Sequence, residues 1–87
     1  MEVTEVRLHR VESKGKLRAL ASITLDGELV IRDLRVVEGE HGLFVTMPSR
    51  RVKEGEFQDV AFSLTTALRE AIAEAVLNQY FATAETN

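Results

Sequence analysis

The sequence predicts an α+β fold: a four- to five-stranded, mainly antiparallel sheet with one C-terminal amphipathic helix. Apolar residues recur at every second position through most of residues 3–47, which is typical of strands that bury one face. Short glycine-containing segments separate these runs, so consecutive strands are expected to be antiparallel neighbours. After residue 62 the apolar spacing becomes helical. Strands followed by one long helix indicate a helix laid on one face of a sheet.

The first two strands are predicted at residues 3–11 and 17–25, joined by a polar hairpin loop at 12–16. In the first strand, Arg7 and His9 alternate with apolar residues, which indicates one buried face and one basic face. In the second strand one face is apolar throughout: Leu17, Ala19, Ala21, Ile23 and Leu25.

Asp26-Gly27 is the strongest turn signal in the chain, because both residues tolerate the positive φ of a type I′ hairpin. The third strand is predicted at residues 28–37. It has apolar residues on both faces, so we expect a central strand covered on both sides for part of its length. A turn at 38–42 leads to the fourth strand at 43–47.

Pro48, the one proline in the chain, cannot donate to a strand ladder and is expected to end strand pairing. A loop is predicted at 49–56, and a short fifth strand at 57–62. Aromatic side chains are expected in the core or in a dimer interface rather than as base-stacking platforms: Phe44, Phe57, Phe62, Tyr80 and Phe81.

The helix is predicted from an apolar stripe at helical spacing, with Ser63, Thr65 or Thr66 as the N-cap. Residues 82–87 are small and polar and are expected to fray. The stripe comprises Leu64, Leu68, Ala71, Ile72, Ala75, Val76 and Tyr80.

Composition excludes several classes of function. There is no cysteine, so disulfides, thiolate metal sites and cysteine nucleophiles are excluded, in keeping with a cytoplasmic location. No apolar run is long enough to span a membrane, and no secretory signal is expected. His9 and His41 lack ligand partners at metal-binding spacing, and no catalytic set is recognisable. We therefore expect no enzyme, no cofactor, no metal and no small-molecule substrate.

Charge is unevenly distributed along a chain whose net charge is −3. Residues 1–53 carry a balance of +2 and residues 54–87 a balance of −5. This pattern fits an ordinary solvated surface, and it also fits a dipolar molecule with a local anion-binding face.

Arg50, Arg51 and Lys53 are the candidate site for that anion. Two guanidinium groups at the head of a loop could fork onto neighbouring phosphates. The alternative is a solubilising loop, with an ion pair to Glu54 or Glu56.

The basic residues elsewhere in the chain also have two interpretations, an anion-binding one and an ordinary surface one. Arg7, Arg18, Arg32 and Arg35 come from three predicted strands. They would form a basic stripe on the sheet, or would pair across strands with the acidic residues Glu5, Glu28 and Asp33. Lys14 and Lys16 either extend the basic patch or are a solvated hairpin tip.

Five segments resemble the SpoVG family, the stage V sporulation protein G or septation regulators. The most specific is Gly-Leu-Phe-Val-Thr-Met-Pro-Ser-Arg-Arg at 42–51, supported by the segments at 1–8, 19–26, 55–61 and 74–78. The resemblance implies a single SpoVG-like domain over residues 1–82, with 83–87 as a tail.

The resemblance also implies a function. Family members form homodimers, bind DNA and in some cases RNA, and are linked to septation, sporulation and gene expression. Their basic pair after Met-Pro-Ser maps onto Arg50 and Arg51. This chain has Phe62-Ser63 where many members have His-Pro, so the entry to the helix is expected to differ. The competing hypothesis is a protein-interaction module of the division machinery, docking through Tyr80-Phe81.

Overall fold

The structure, a computed structural model, describes residues 1–12 and 14–85. Strands β1 to β4 form one antiparallel sheet in chain order, and β5 and β6 form a separate antiparallel ribbon. With its single C-terminal helix, this arrangement confirms the predicted α+β class. The elements are β1 (Val3–Arg10), β2 (Leu17–Leu25), β3 (Leu29–Gly39), β4 (Gly42–Thr46), β5 (Ser49–Lys53), β6 (Glu56–Asp59) and α1 (Thr66–Glu85).

Two glycines shape the hairpins of the sheet. Asp26 and Gly27 have φ of 52° and 66°, as the predicted type I′ turn requires. At the β3–β4 hairpin the ring of Phe44 lies over Gly39. A Cβ atom added at Gly39 would come within 2.8 Å of that ring, so any larger residue there would require the Phe44 ring to shift.

The core lies between the sheet and α1. Its strand side comes mainly from the predicted apolar face of β2, of which Leu17 alone is only half-buried. Each fully buried aliphatic side chain contributes roughly 1.5–3 kcal/mol through its removal from water. The buried residues are Ala19, Ala21, Ile23, Leu25, Leu34, Val36, Ile72 and Val76.

The start of α1 at Thr66 is set by its N-cap residue. Thr65 is the N-cap, since its Oγ1 accepts a hydrogen bond of 3.2 Å from the backbone N–H of Leu68. Leu64 therefore lies before the helix, and it is 92% exposed rather than part of the predicted stripe. Ser63 forms a turn ahead of the cap, because its Oγ accepts from the backbone N–H of Thr65.

Arg10 on β1 fixes the far end of the helix. Its guanidinium donates to the carbonyl of Tyr80 and to Thr83 Oγ1, and lies 4.0 Å from the centre of the Tyr80 ring. A cation at the last turn of a helix also complements the helix dipole. The contacts join strand and helix at the point where both approach their ends.

Several predictions about the fold differ from the structure. The segment predicted as a loop at 49–56 contains β5 and the start of β6, and the predicted fifth strand shortens to β6 in the ribbon. Pairing with the main sheet ends before Pro48, as expected, and the two short segments that follow pair with each other around Gly55.

The third strand is central but covered on one face only, since among the described elements α1 packs on just one side of the sheet. The aromatic residues expected in the core or an interface do not lie in this core. Tyr80 is half-buried, and the exposed ones are Phe44, Phe57, Phe62 and Phe81.

Two predictions fall partly on residues that are not described. Ser13, in the predicted loop, lies outside the described residues, as do residues 86 and 87 of the predicted tail. The helix itself includes residues 83–85.

Candidate nucleic-acid interface

The candidate site lies on the β5–β6 ribbon, which packs mainly against itself. Its base is closed where the backbone N–H of Val60 donates to the carbonyl of buried Pro48 at 2.8 Å. All residues of the two strands are exposed except Ser49, which is half-buried. The ribbon therefore presents nearly every side chain to solvent.

Arg50 and Arg51 belong to a strand, which changes how they can act together. Successive side chains of a strand point to opposite faces, so the ribbon has one arginine on each face. The two guanidinium groups therefore extend from opposite faces of a strand rather than from a loop, and their contact with phosphates stays a prediction. The side chain of neither arginine makes a hydrogen bond or ion pair with another described residue.

The cross-strand register gives each arginine a neighbour. Arg50 is paired with Gln58, and Arg51 with Phe57, whose ring is 64% exposed. Cβ atoms of such pairs lie roughly 4.5–5.5 Å apart, so each pair shares one face of the ribbon. Sequence reasoning missed Gln58 because the pairing of β5 with β6 was not predicted.

Lys53, the third candidate, is engaged within the ribbon. Its Nζ lies 3.6 Å from Glu56 Oε1, and both side chains are more than half exposed. This is the alternative weighed from the sequence, and exposed pairs of this kind contribute about 1 kcal/mol or less. Lys53 therefore adds local charge, offset by Glu56, to a site carried by the two arginines.

The other predicted basic residues divide into two groups. Arg7 lies 3.5 Å from Glu5, and Arg18 contacts both Glu38 and the carbonyl of Gly15. Arg32 and Arg35 are exposed, and their side chains make no hydrogen bond or ion pair with a described residue.

Two further features bear on the class of function. Within residues 1–12 and 14–85, no three His, Asp or Glu side chains come together as a metal centre would need. In the same ranges, no helix has the length and apolar character needed to cross a membrane.

Comparison with known proteins gives consistent matches. The SpoVG family model matches residues 1–82. Proteins from Bacillus velezensis and Oceanobacillus iheyensis are each 55% identical to this chain over 80 residues, and one from Geobacillus thermodenitrificans is 54% identical. The matches cover 92% of this chain and 82–83% of the relatives. Each relative carries the name "Putative septation protein SpoVG".

Proposed function

Because the chain belongs to the SpoVG family, we propose that it is a cytoplasmic nucleic-acid-binding regulator that acts in septation and in the control of gene expression. The observation that carries the proposal is the exposed ribbon with an arginine on each face whose side chain has no partner among the described residues. Its ligand would be DNA, with RNA as a second candidate, and it would act by binding rather than by catalysis.

The ribbon has the dimensions of a groove-binding element. The major groove of B-form DNA is about 12 Å wide and admits a two-stranded β-ribbon. A ribbon inside the groove has a wall on either side, so Arg50 and Arg51 can face opposite walls. Two arginines on opposite faces would not reach two phosphates on one flat surface, but each would reach the phosphates of one wall of the groove.

The face that carries Arg50 also offers a means of reading bases. Glutamine pairs with adenine through one donor and one acceptor. Gln58 is exposed and is the cross-strand neighbour of Arg50. In this proposal Arg50 and Arg51 contact backbone phosphates, while Gln58 supplies base discrimination.

The proposed active form is a homodimer. Large apolar side chains are exposed in the ribbon and in the segment that follows it, and a contiguous exposed apolar surface marks interaction sites. An apolar cleft that includes Leu29, Ile31 and Phe62 lies nearby. A two-fold dimer would bury such surfaces and place two ribbons symmetrically. The exposed residues are Val52, Phe57, Val60, Phe62 and Leu64.

Sedimentation tests the dimer directly. Wild-type protein should sediment as a dimer at micromolar concentration, and Leu64→Glu should shift it towards monomer because the substitution places a charge in the apolar surface. A wild-type monomer throughout this range would contradict the dimer and leave the ribbon proposal standing.

Binding of labelled duplex DNA and RNA tests the nucleic-acid function. Arg50→Gln/Arg51→Gln should weaken duplex binding about 60-fold at 0.1 M salt, because each phosphate contact contributes a factor of about 10^0.9 relative to 1 M. Lys14→Gln/Lys16→Gln removes the same charge from an exposed loop and should bind nearly as wild type. Equal losses in the two double variants would show only general charge attraction.

The alternative is a protein-interaction module that acts on division proteins without nucleic acid. The exposed apolar surface and the relatives' septation name favour it. Of the two residues predicted to dock on a partner, Tyr80 is held by Arg10, so only Phe81 is freely exposed for such a contact. Capture of a division protein that survives nuclease treatment and is lost in Phe81→Ala would support this alternative.

A further inference from the structure

The face of the sheet opposite α1 is exposed and carries basic, hydroxyl and aromatic side chains. We call it the open sheet face. One row of side chains crosses all four strands, since His9 is paired with Leu20, Leu20 with Arg35, and Arg35 with Thr46. Phe44 lies two residues before Thr46 on the same face, and its ring is 46% exposed. Basic, hydroxyl and aromatic groups therefore share one surface.

A β-bulge shapes the centre of this face. The β2–β3 register shifts between Ala21 and Ile23, which sets both Arg32 and Asp33 opposite Ser22. Asp33 has φ of 65°, a conformation uncommon for residues other than glycine. The bulge brings Arg32 to a shallow open basin of about 270 Å³, whose lining includes Arg7, His9, Ser22 and Asp33.

The charges of this face favour an anion. The Arg7–Glu5 pair is exposed and therefore weak, and the side chains of Arg32 and Arg35 have no hydrogen-bond or ion-pair partner among the described residues. Asp33 is the only carboxylate among the residues lining the basin. The acidic residues of α1 lie in the other layer, so a polyanion is attracted to the sheet side.

We propose that the open sheet face binds single-stranded nucleic acid, as a second contact surface separate from the ribbon. The inference rests on the proposed nucleic-acid function and extends it to a second ligand class. Unpaired bases stack on aromatic rings, histidine and guanidinium planes, which Phe44, His9 and Arg35 supply here. Phosphates would be held by Arg32 and Arg35. A duplex keeps its base faces inside, so these planar groups would find no partner on it.

Binding of a labelled single strand, with the duplex of the same sequence in parallel, tests the proposal. Arg32→Gln and Arg35→Gln should each weaken single-strand binding about fivefold at 0.1 M salt, because one phosphate contact contributes a factor of about 10^0.7 relative to 1 M. Arg69→Gln, an exposed arginine on α1, removes the same charge and should bind as wild type. Unchanged melting temperatures would establish that the variants are folded.

Photo-crosslinking supplies a readout that does not depend on charge. A photoreactive residue at Ser22 should crosslink to the single strand, and one at exposed Glu74 on α1 should not. If duplex binding depends on Arg50 and Arg51 but the sheet variants match Arg69→Gln and Ser22 does not crosslink, this inference fails and the proposed function stands. If wild-type protein binds neither duplex nor single strand, both fail together.

Discussion

The four-stranded sheet and the β5–β6 ribbon differ in how far their side chains are buried. In β2 every second residue from Ala19 to Leu25 is buried beneath α1, whereas both strands of the ribbon are exposed almost throughout. A short two-stranded ribbon is marginally stable alone, so the sheet and helix must supply the folding energy. Side chains of the ribbon are consequently free to serve a ligand. Changes in the two regions should therefore affect different measurements.

Leu34→Ala should produce the largest loss of stability. Leu34 is 0% exposed, and its truncation leaves a cavity that typically costs about 2–5 kcal/mol. Val52→Ala in the ribbon, at a side chain 43% exposed, should cost about 0.5 kcal/mol or less. Urea unfolding checks both variants. Equal losses would contradict the division between the two regions.

Arg10→Gln should lower stability by about 1.5–3 kcal/mol, because the charged hydrogen bonds to the end of α1 and the stacking on Tyr80 are lost. Arg7→Gln is the matched control on the same strand, since the Arg7 side chain is 78% exposed. Thermal unfolding followed by circular dichroism separates them. If both variants melt at the same temperature, the claim that Arg10 stabilises the end of α1 is refuted.

Gln58→Ala should leave the fold intact and relax base discrimination by about 1–3 kcal/mol at a single base pair. Its exposed position on β6 makes no contact with the core. Affinities for a panel of duplexes with single base changes provide the measurement. A uniform loss across the panel would make Gln58 a backbone contact and contradict its role in base discrimination.

Thr65→Ala should cost about 1 kcal/mol, because the N–H of Leu68 loses its capping partner. Thr65→Ser keeps a hydroxyl and should retain most of that stability. The capping hydrogen bond lies at the start of α1 and outside the two ribbon strands, so nucleic-acid affinity should not change in either variant. Chemical unfolding of the pair provides the test.

Periodicity predicted the sheet and the helix well because their burial is one-sided. β2 was predicted with its observed ends, and the Asp26-Gly27 turn was placed correctly, because alternation and positive φ both leave local signals. Strand β5 of the ribbon left no such signal. Its residues are polar or exposed on both faces, so no hydrophobic alternation distinguishes β5 from a loop.

The sequence predicted the two arginines of the candidate site but not how they are arranged. Arg50 and Arg51 follow from local charge and from the family resemblance, whereas their opposite orientation depends on a strand that the sequence pattern does not reveal. Gln58 becomes a candidate only through its register with Arg50. The same holds for Arg32, because its place beside Ser22 depends on a bulge.

The central claim is that the ribbon arginines contact nucleic-acid phosphates while the sheet and helix only support them. The salt dependence of duplex binding tests it most directly. The log–log slope for Arg50→Gln/Arg51→Gln should be shallower than that of wild type by about 1.8, since each lost contact on duplex DNA contributes about 0.9. Identical slopes for the two folded proteins would contradict the claim.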